Sequence, residues 1–557
     1  EGTGAVGVHD GGRSYVASVY NERTNFDNLN TSSWDPAPIP ETTTQTITTC
    51  EQLVEASYGT SPADTILLQN DVDCSGIEGF SGLDWGGDFT GVFDGQGHTI
   101  SNLAIVGEQE VGLFVSARGG ELKNVHFDGG VAVADQSYVG MLAGGVNAVD
   151  VYNVSSNAEV IAGLDGMGGG LIGFVTNEYS DKDMMLSNLS SSGPVSGYDD
   201  IGGLFGELEL DEAPSITLRK SFATGDVTNF GEGDGVNFGG LIGDLEVYSY
   251  EEGSNGYVAI EDVYATGNVS GYETVGGLIG DVSADNDGHS ENAAELFISN
   301  AYAAGTVTAD YNEAGGLFGE VDYNHAGELT VISDSFAAGE AVTESEEGAD
   351  KGGFIGSYEE AEEGSSDIEL SNNYFDNSTG AACYEGYAFE GCTGVDESAQ
   401  PNYFKANATN QPLSEWDFDS VWYVRSNDYP ALYGADTDQD SIADSIESSA
   451  PNDGDANNDG TPDYLQANVA SVVNPVTAKY ATLEVSDECS IQSMVIISET
   501  EVSNQADVAY DYTSGLMDFR VDCGTPGFTA TFNQYYYGVS GAFSVRKFIP
   551  GSGYTSI

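Results

Sequence analysis

FGGLIG (238–243) has a near-copy 37 residues before it, IGGLFG (201–206), and another 37 residues after it, VGGLIG (275–280). The same block recurs as GGGLIG (168–173), AGGLFG (314–319) and KGGFIG (351–356), with weaker copies at VGLFV (111–115) and VGMLAG (139–144). A fixed period of this length marks a repeat architecture. Between these blocks sits a second one: SFATGDVT (221–228), VYATGNVS (263–270), AYAAGTVT (301–308) and SFAAGEAVT (335–343). Both blocks are short, rich in β-branched or aromatic residues, and bounded by Gly, Asn and Asp, which predicts strands. Strands of one type per repeat stack in parallel, rung on rung, with glycine at corners where a Cβ would clash. A β-propeller is the competing repeat fold, but its blades need four strands in about 40–50 residues. The chain is therefore expected to be all-β, with residues 46–375 forming a right-handed parallel β-helix (solenoid). The acidic segments ELELDEAPSITL (207–218) and DLEVYSYEEGSNGYVAI (244–260) are expected to project from it as hairpins.

These blocks resemble the GLUG repeat of bacterial surface proteins. TCEQLVEA (49–56), ILLQNDVDCSG (66–76) and FTGVFDGQGHTISNLAI (89–105) are similar to that family's opening rungs. NNYFDNSTG (372–380) and PLSEWDFDSVWYVRSNDYPALYG (412–434) are similar to its closing segment. The resemblance implies a β-helix on the cell exterior, in adhesin-like proteins, and no defined ligand. A solenoid exposes an apolar end, so residues 376–434 are read as its cap. Trp416, Trp422 and Tyr429 would cover the last rung, with Cys383–Cys392 pinning the approach.

Two acidic stretches follow, DTDQDSIADSIE (436–447) and DANNDGTPD (455–463). Each places oxygen donors at loop positions one, three and five: Asp436, Asp438 and Asp440, then Asp455, Asn457 and Asp459. Position seven offers a backbone carbonyl, from Ile442 and Thr461, and position nine a further carboxylate, Asp444 and Asp463. Hard oxygens at this spacing wrap Ca²⁺ at about 2.3–2.6 Å. The pattern is similar to thrombospondin type-3 and related bacterial calcium repeats. It departs from them in Ser441, which replaces a turn glycine, and at position twelve, which is Glu447 in one loop and Gln466 in the other. Residues 435–466 are thus expected to be a calcium-stiffened connector, against the plainer reading of a solvated acidic linker.

Composition bounds the partners. The 557-residue chain carries 91 acidic and 14 basic residues, a formal charge of −77. That charge excludes nucleic acid and anionic membrane and favours divalent cations, high-salt solubility or a cationic partner. No apolar run reaches the length of a membrane span, so no membrane insertion is expected. Six cysteines fall in three local pairs, Cys50 with Cys74, Cys383 with Cys392, and Cys489 with Cys523, without zinc spacing. Disulfides made in an oxidising compartment are the expectation, and with them a secreted or surface-displayed protein. A first residue Glu1 instead of Met fits a mature or trimmed form.

Residues 467–557 alternate polar and apolar positions, predicting a small β-sandwich that holds Cys489–Cys523. ANVASVVNPVTAKYATLE (467–484) and SVRKFIPGSGYTSI (544–557) are similar to bacterial choice-of-anchor domains. In residues 1–45, RSYVASVYN (13–21) reads as a strand and WDPAPIPETTTQT (34–46) as an extended linker. That strand either adds to a neighbour's sheet edge, giving polymers, or covers the solenoid's first rung.

Polysaccharide-cleaving enzymes also use parallel β-helices. With so many carboxylates, pairs at acid–base distance are inevitable and carry no weight. Residues 221–350 contain no Lys or Arg to stabilise a developing charge. His289 and His325 fall in inserts, and His98 in the turn FDGQGHTI. The chain is expected not to be an enzyme. The leading expectation is a calcium-stabilised adhesin-like or spacer rod. It would meet a glycan or cell-surface ligand through the inserts around 207–218, 244–260, 320–328 and 357–367. The alternative is a structural subunit that self-associates into filaments or a surface layer; the third is a polysaccharide-active enzyme.

Overall fold

The computed structural model describes residues 6–10, 13–17 and 43–556, apart from 165, 179, 212–213, 230–234, 249–255, 286–294, 324–328, 344–349, 359–367, 379–380, 385–387, 406, 419, 426–427, 435, 437, 439, 441, 498–512, 524–527, 539–545 and 550–552. The expected hairpins 207–218 and 244–260 are for the most part strands of the solenoid itself: Leu208, Leu210, Ile216 and Leu218, like Leu245, Val247, Val258 and Ile260, are buried in it because they alternate with outward-facing residues. The tips of these segments and of 320–328 and 357–367, together with His289 and His325, lie outside the described residues.

The repeats form the expected parallel β-solenoid. One coil runs through the strands Ser215–Ala223, Val227–Asn229, Phe238–Gly239 and Ile242–Tyr248 before the next begins at Tyr257. Each strand pairs in parallel with its equivalent one coil away, giving long sheets of fifteen, eight, seven and eight strands. The first, which we call the flank sheet, contains Ser215–Ala223; the sheet containing Ile242–Tyr248 is the ledge sheet. The two glycine-rich blocks are neighbouring corners. The leucine of each GGLIG block points inward, so Leu204, Leu241, Leu278 and Leu317, and then Phe354, are fully buried one above another. The glycine before it is forced by the stack: a Cβ on Gly240 would sit 2.2 Å from the Gly277 carbonyl of the next coil.

A second column was not foreseen. Along the flank sheet, Asn124, Asn153, Asn188, Lys220, Asp262, Asn300, Asp334 and Asn372 all take positive φ, between 51° and 56°. Asn tolerates this left-handed region, and its amide ties successive coils: Asn153 Nδ2 donates to Asn124 Oδ1 at 2.9 Å and Asn188 Nδ2 to Asn153 Oδ1 at 3.0 Å. Asn153 and Asn188, which open the N-glycosylation sequons NVS and NLS, are thus ladder positions. Lys220 fits this column worst. Lys220→Asn is expected to raise stability by about 1 kcal/mol, read as a higher urea midpoint with an unchanged slope; no change would mean that the column imposes no strain on Lys220.

The kink shifts the side-chain alternation by one, so Phe222, Tyr264, Tyr302, Phe336 and Tyr374 stack on the outside of the flank sheet. This corrects the expected cap. Trp416, Trp422 and Tyr429 do not cover the last coil; they lie along this external aromatic column. Trp416 Nε1 donates to the Asp334 carbonyl at 2.8 Å, Trp422 Nε1 to Asp262 Oδ1 at 2.9 Å, and Tyr302 Oη to the Pro430 carbonyl at 2.7 Å. Residues 403–432 therefore form a strap running back along the rod. The apolar end is closed by the segment 381–395, whose Ala382 and Cys383 carbonyls accept from Gly353, Phe354 and Ile355, and whose strand Cys392–Val395 extends the flank sheet. Cys383–Cys392 links this closing segment to itself. At the other end the segment 49–56, expected as a rung, contains a helix, Cys50–Val54, capped by Thr49 and tied by Cys50–Cys74.

Beyond the strap, Val469–Asn474, Lys479–Val485 and Phe532–Tyr536 form an antiparallel sheet, and Ser490–Ile497 pairs with Leu516–Asp522. Their shared core includes Ala470, Leu483, Ile491 and Met494, beside Cys489–Cys523. The N-terminal unit, Glu1–Thr43, is separate. In it Arg13–Ala17 pairs antiparallel with Val6–Asp10, so the predicted lone strand has a partner within its own unit.

Candidate metal centre

The first acidic loop and the short helix Asp444–Glu447 that follows it bring carboxylates into one buried cluster. Oxygens of Asp436, Asp438 and Asp440 lie within 4.8 Å of one another. Asp440, Asp444, Glu447 and Asp463 are each fully buried. The Ile442 amide donates to Asp440 Oδ1 at 2.8 Å and the Ser471 amide to Glu447 Oε1 at 2.9 Å. These bonds fix the carboxylates but leave both Asp438 oxygens, Asp440 Oδ2 and Glu447 Oε2 buried without a hydrogen-bond partner among the described residues. Burial, then Asp436 and Asp444, push Asp438 up to about 8. Asp440 is raised by burial and by Asp438, and Glu447 by burial and by Asp440. A buried group of like charges with orphaned oxygens is stable only if a cation or protons neutralise it. The donor set is all oxygen, as a hard divalent cation of calcium's size requires. The Ile442 side chain is buried in the C-terminal core, anchoring position seven.

The second loop is built differently. Asp455 accepts from the amides of Asp459 and Gly460, both at 3.0 Å, and Asp459 Oδ1 from the Thr461 amide at 2.8 Å. Asn457 Nδ2 donates to Asp459 Oδ2 at 3.0 Å. Asp463 is turned away, taking the Ala456 amide and the Ser471 hydroxyl, and Gln466 Nε2 donates to the Thr461 carbonyl at 3.1 Å. The structure thus gathers Asp436, Asp438, Asp440, Asp444 and Glu447 into one cluster. It leaves Asp455, Asn457, Asp459, Thr461 and Gln466 in a loop satisfied by its own hydrogen bonds. Ser441 lies outside the described residues.

The two loops do not form a free connector. Tyr464 Oη donates to Asp428 Oδ2 at 3.3 Å, the Arg425 guanidinium lies over the Tyr464 ring at 5.2 Å, and Tyr480 Oη donates to the Ile446 carbonyl at 2.8 Å. The cluster therefore sits where the strap, the loops and the C-terminal sheet meet.

A second concentration of carboxylates escaped sequence reasoning. On the ledge sheet Glu207 is pushed up to about 9 by burial, then by Glu246 and Asp200, and Glu209 to about 7 by burial, then by Glu246 and Asp211. Asp244 and Asp281 are also raised, chiefly by burial. A carboxyl raised in the folded state holds its proton where the unfolded chain has released it, from about pH 4.3. Its contribution is therefore full below that pH and is lost as pH rises toward its folded value. With chelator present, wild-type stability should fall between about pH 5 and pH 9 through this group. Glu207→Gln should flatten the curve and be the more stable protein at the alkaline end. A variant less stable than wild type there would contradict the assignment.

No family model matches the chain, so the likeness to GLUG and thrombospondin type-3 repeats rests on the motifs quoted above. Halomucin of Haloquadratum walsbyi (strain DSM 16790 / HBSQ001) is 36% identical over 174 residues, which is 30% of this chain and 2% of Halomucin. The chain thus spans a small fraction of that relative's length. Among solved structures, one described as an immunoglobulin A1 protease candidate from Bacteroides ovatus is 16% identical. The match covers 70% of this chain and 91% of that one, with a TM-score of 0.37. At that score the likeness carries no functional weight. Among the described residues no helix is long and apolar enough to cross a membrane.

Proposed function

We propose that this chain is a non-catalytic, extracellular surface module. It is a short β-solenoid rod whose C-terminal module is held against its flank by an aromatic strap and a calcium clasp. The observation that carries the reading is the buried cluster of Asp438, Asp440, Asp444 and Glu447 at the junction of strap and C-terminal sheet, in which oxygens of Asp438, Asp440 and Glu447 have no hydrogen-bond partner among the described residues. Asp436, Asp438, Asp440, Asp444 and Glu447 would hold the ion. Calcium would cancel their repulsion and join the two parts of the chain. Three disulfides support an oxidising, extracellular setting, as does the partial likeness to Halomucin. Twelve successive strands along the flank sheet give a rod roughly 55 Å long, a spacer whose partner would be a glycan or cell-surface ligand.

Negative-stain electron microscopy in millimolar calcium, repeated after chelation, tests this. Single rods in calcium that gain a loosened lobe on chelation support the clasped spacer. Ordered filaments in calcium would replace it with the self-assembling subunit. Rods unchanged by chelation would remove calcium from the account.

A further inference from the structure

On the ledge sheet, Glu207, Asp244, Asp281 and Glu320 occupy one position on four consecutive coils, in register. The column is bounded by Phe174 on the coil before and Ser357 on the coil after. Across the adjoining corner runs a second column, Asp200, Asn237, Thr274 and Glu313, each one residue before the paired positions Ile201, Phe238, Val275 and Ala314. Asn237 joins the two columns, donating to Asp200 Oδ1 at 2.9 Å and to Asp244 Oδ2 at 3.1 Å. The result is an acidic groove along the rod axis, whose part from Asn237 to Glu320 falls in a stretch (221–350) without Lys or Arg.

Asp244 is only 8% exposed, yet its Oδ1 is buried without a hydrogen-bond partner, with Asp281, Asp200, Glu246 and Glu207 around it. A buried acceptor in this state calls for a positive occupant. Coils repeat at about 4.8 Å, a span that one cation can bridge by taking an oxygen from each of two consecutive coils at calcium's distance of about 2.3–2.6 Å. We propose that this groove binds calcium-sized divalent cations in file, each bridging carboxylates of consecutive coils. Such ions turn coil-to-coil repulsion into a cross-link and stiffen the rod along its axis. The site is independent of the clasp between strap and C-terminal sheet.

The test uses the full chain carrying Asp438→Asn and Asp440→Asn, which removes the clasp, and the same chain with Asp244→Asn and Asp281→Asn added. Calcium retained after equilibrium dialysis against excess magnesium is counted by atomic emission, and circular dichroism confirms the solenoid in both. The clasp-disabled protein should retain calcium, and the groove variant should lose it. No retention by the clasp-disabled protein, or equal retention by both, overturns the proposal. If the combined variant does not fold, Glu320→Gln at the end of the column should lower retention in the clasp-disabled chain, and unchanged retention overturns the proposal equally. A partial loss of calcium on disabling the clasp, with the remainder lost only in the groove variant, bears on the clasp and not on the groove, so the two readings fail separately.

Discussion

Chelating calcium should cost the C-terminal module about 4 kcal/mol relative to calcium at a thousandfold excess over its dissociation constant. In Asp440→Asn that difference should shrink to near zero. Burial decides this: Asp440, Asp444 and Glu447 have no exposed surface, and oxygens of Asp438, Asp440 and Glu447 have no hydrogen-bond partner among the described residues. Without an ion the cluster must take up protons or open. Either outcome releases the loop that the Ile442 side chain anchors in the C-terminal core. Asn in place of Asp440 preserves shape and the bond from the Ile442 amide but removes one charge and one hard ligand. Limited proteolysis gives the readout. Wild type in chelator should be cut within residues 435–466 at the rate seen for Asp440→Asn under both conditions, while wild type in calcium resists. Equal cutting of wild type with and without calcium would end the clasp. Asp459→Asn is the internal control: its loop is closed by its own backbone amides, so the calcium dependence should persist.

The solenoid was legible because its constraint acts on one residue type. Where the next coil's carbonyl lies 2.2 Å from a would-be Cβ, as at Gly240, only glycine survives, and the period stands out. The left-handed column was not legible, because Asn, Asp and even Lys220 share it, and its asparagines at 153 and 188 read as glycan sequons. That hidden kink also concealed the strap's landing site. Ile216 and Leu218 point inward, and an unbroken strand would place Phe222 inward with them; the left-handed Lys220 puts it outside. Alternating acids such as ELELD (207–211) read as part of a projecting hairpin, and only coil-to-coil register shows Glu207 stacked on Asp244 and Asp281. At the candidate metal centre, loop spacing singled out Asp436, Asp438 and Asp440, which the structure brings together. It carried no sign that Asp463 turns to Ser471, because that bond depends on a strand beyond the loop.

Trp422→Ala should be the most damaging single change in the strap, lowering stability by about 3–5 kcal/mol. Trp422 is fully buried, 4.4 Å from the Trp416 ring and 6.1 Å from Tyr264 and Tyr302, so truncation opens a cavity between strap and rod. It also removes the indole donor to Asp262, though Asn300 Nδ2 still donates to that carboxylate at 3.1 Å. Trp422→Phe separates the two effects: it keeps most of the buried ring and loses the hydrogen bond, for about 1–2 kcal/mol. The strap and the clasp act in series, because Arg425, three residues beyond Trp422, lies over Tyr464 at 5.2 Å beside the second loop. Loosening one should weaken the other, so Trp422→Ala combined with chelation should cost less than the sum of the separate losses. Hydrogen exchange at the amides of Phe222, Tyr264, Tyr302 and Phe336 gives the structural readout. Those amides belong to the flank sheet and should stay protected in Trp422→Ala while the strap exchanges, because coil-to-coil pairing does not depend on the strap. Loss of protection throughout the flank sheet would instead make the strap a condition of solenoid folding.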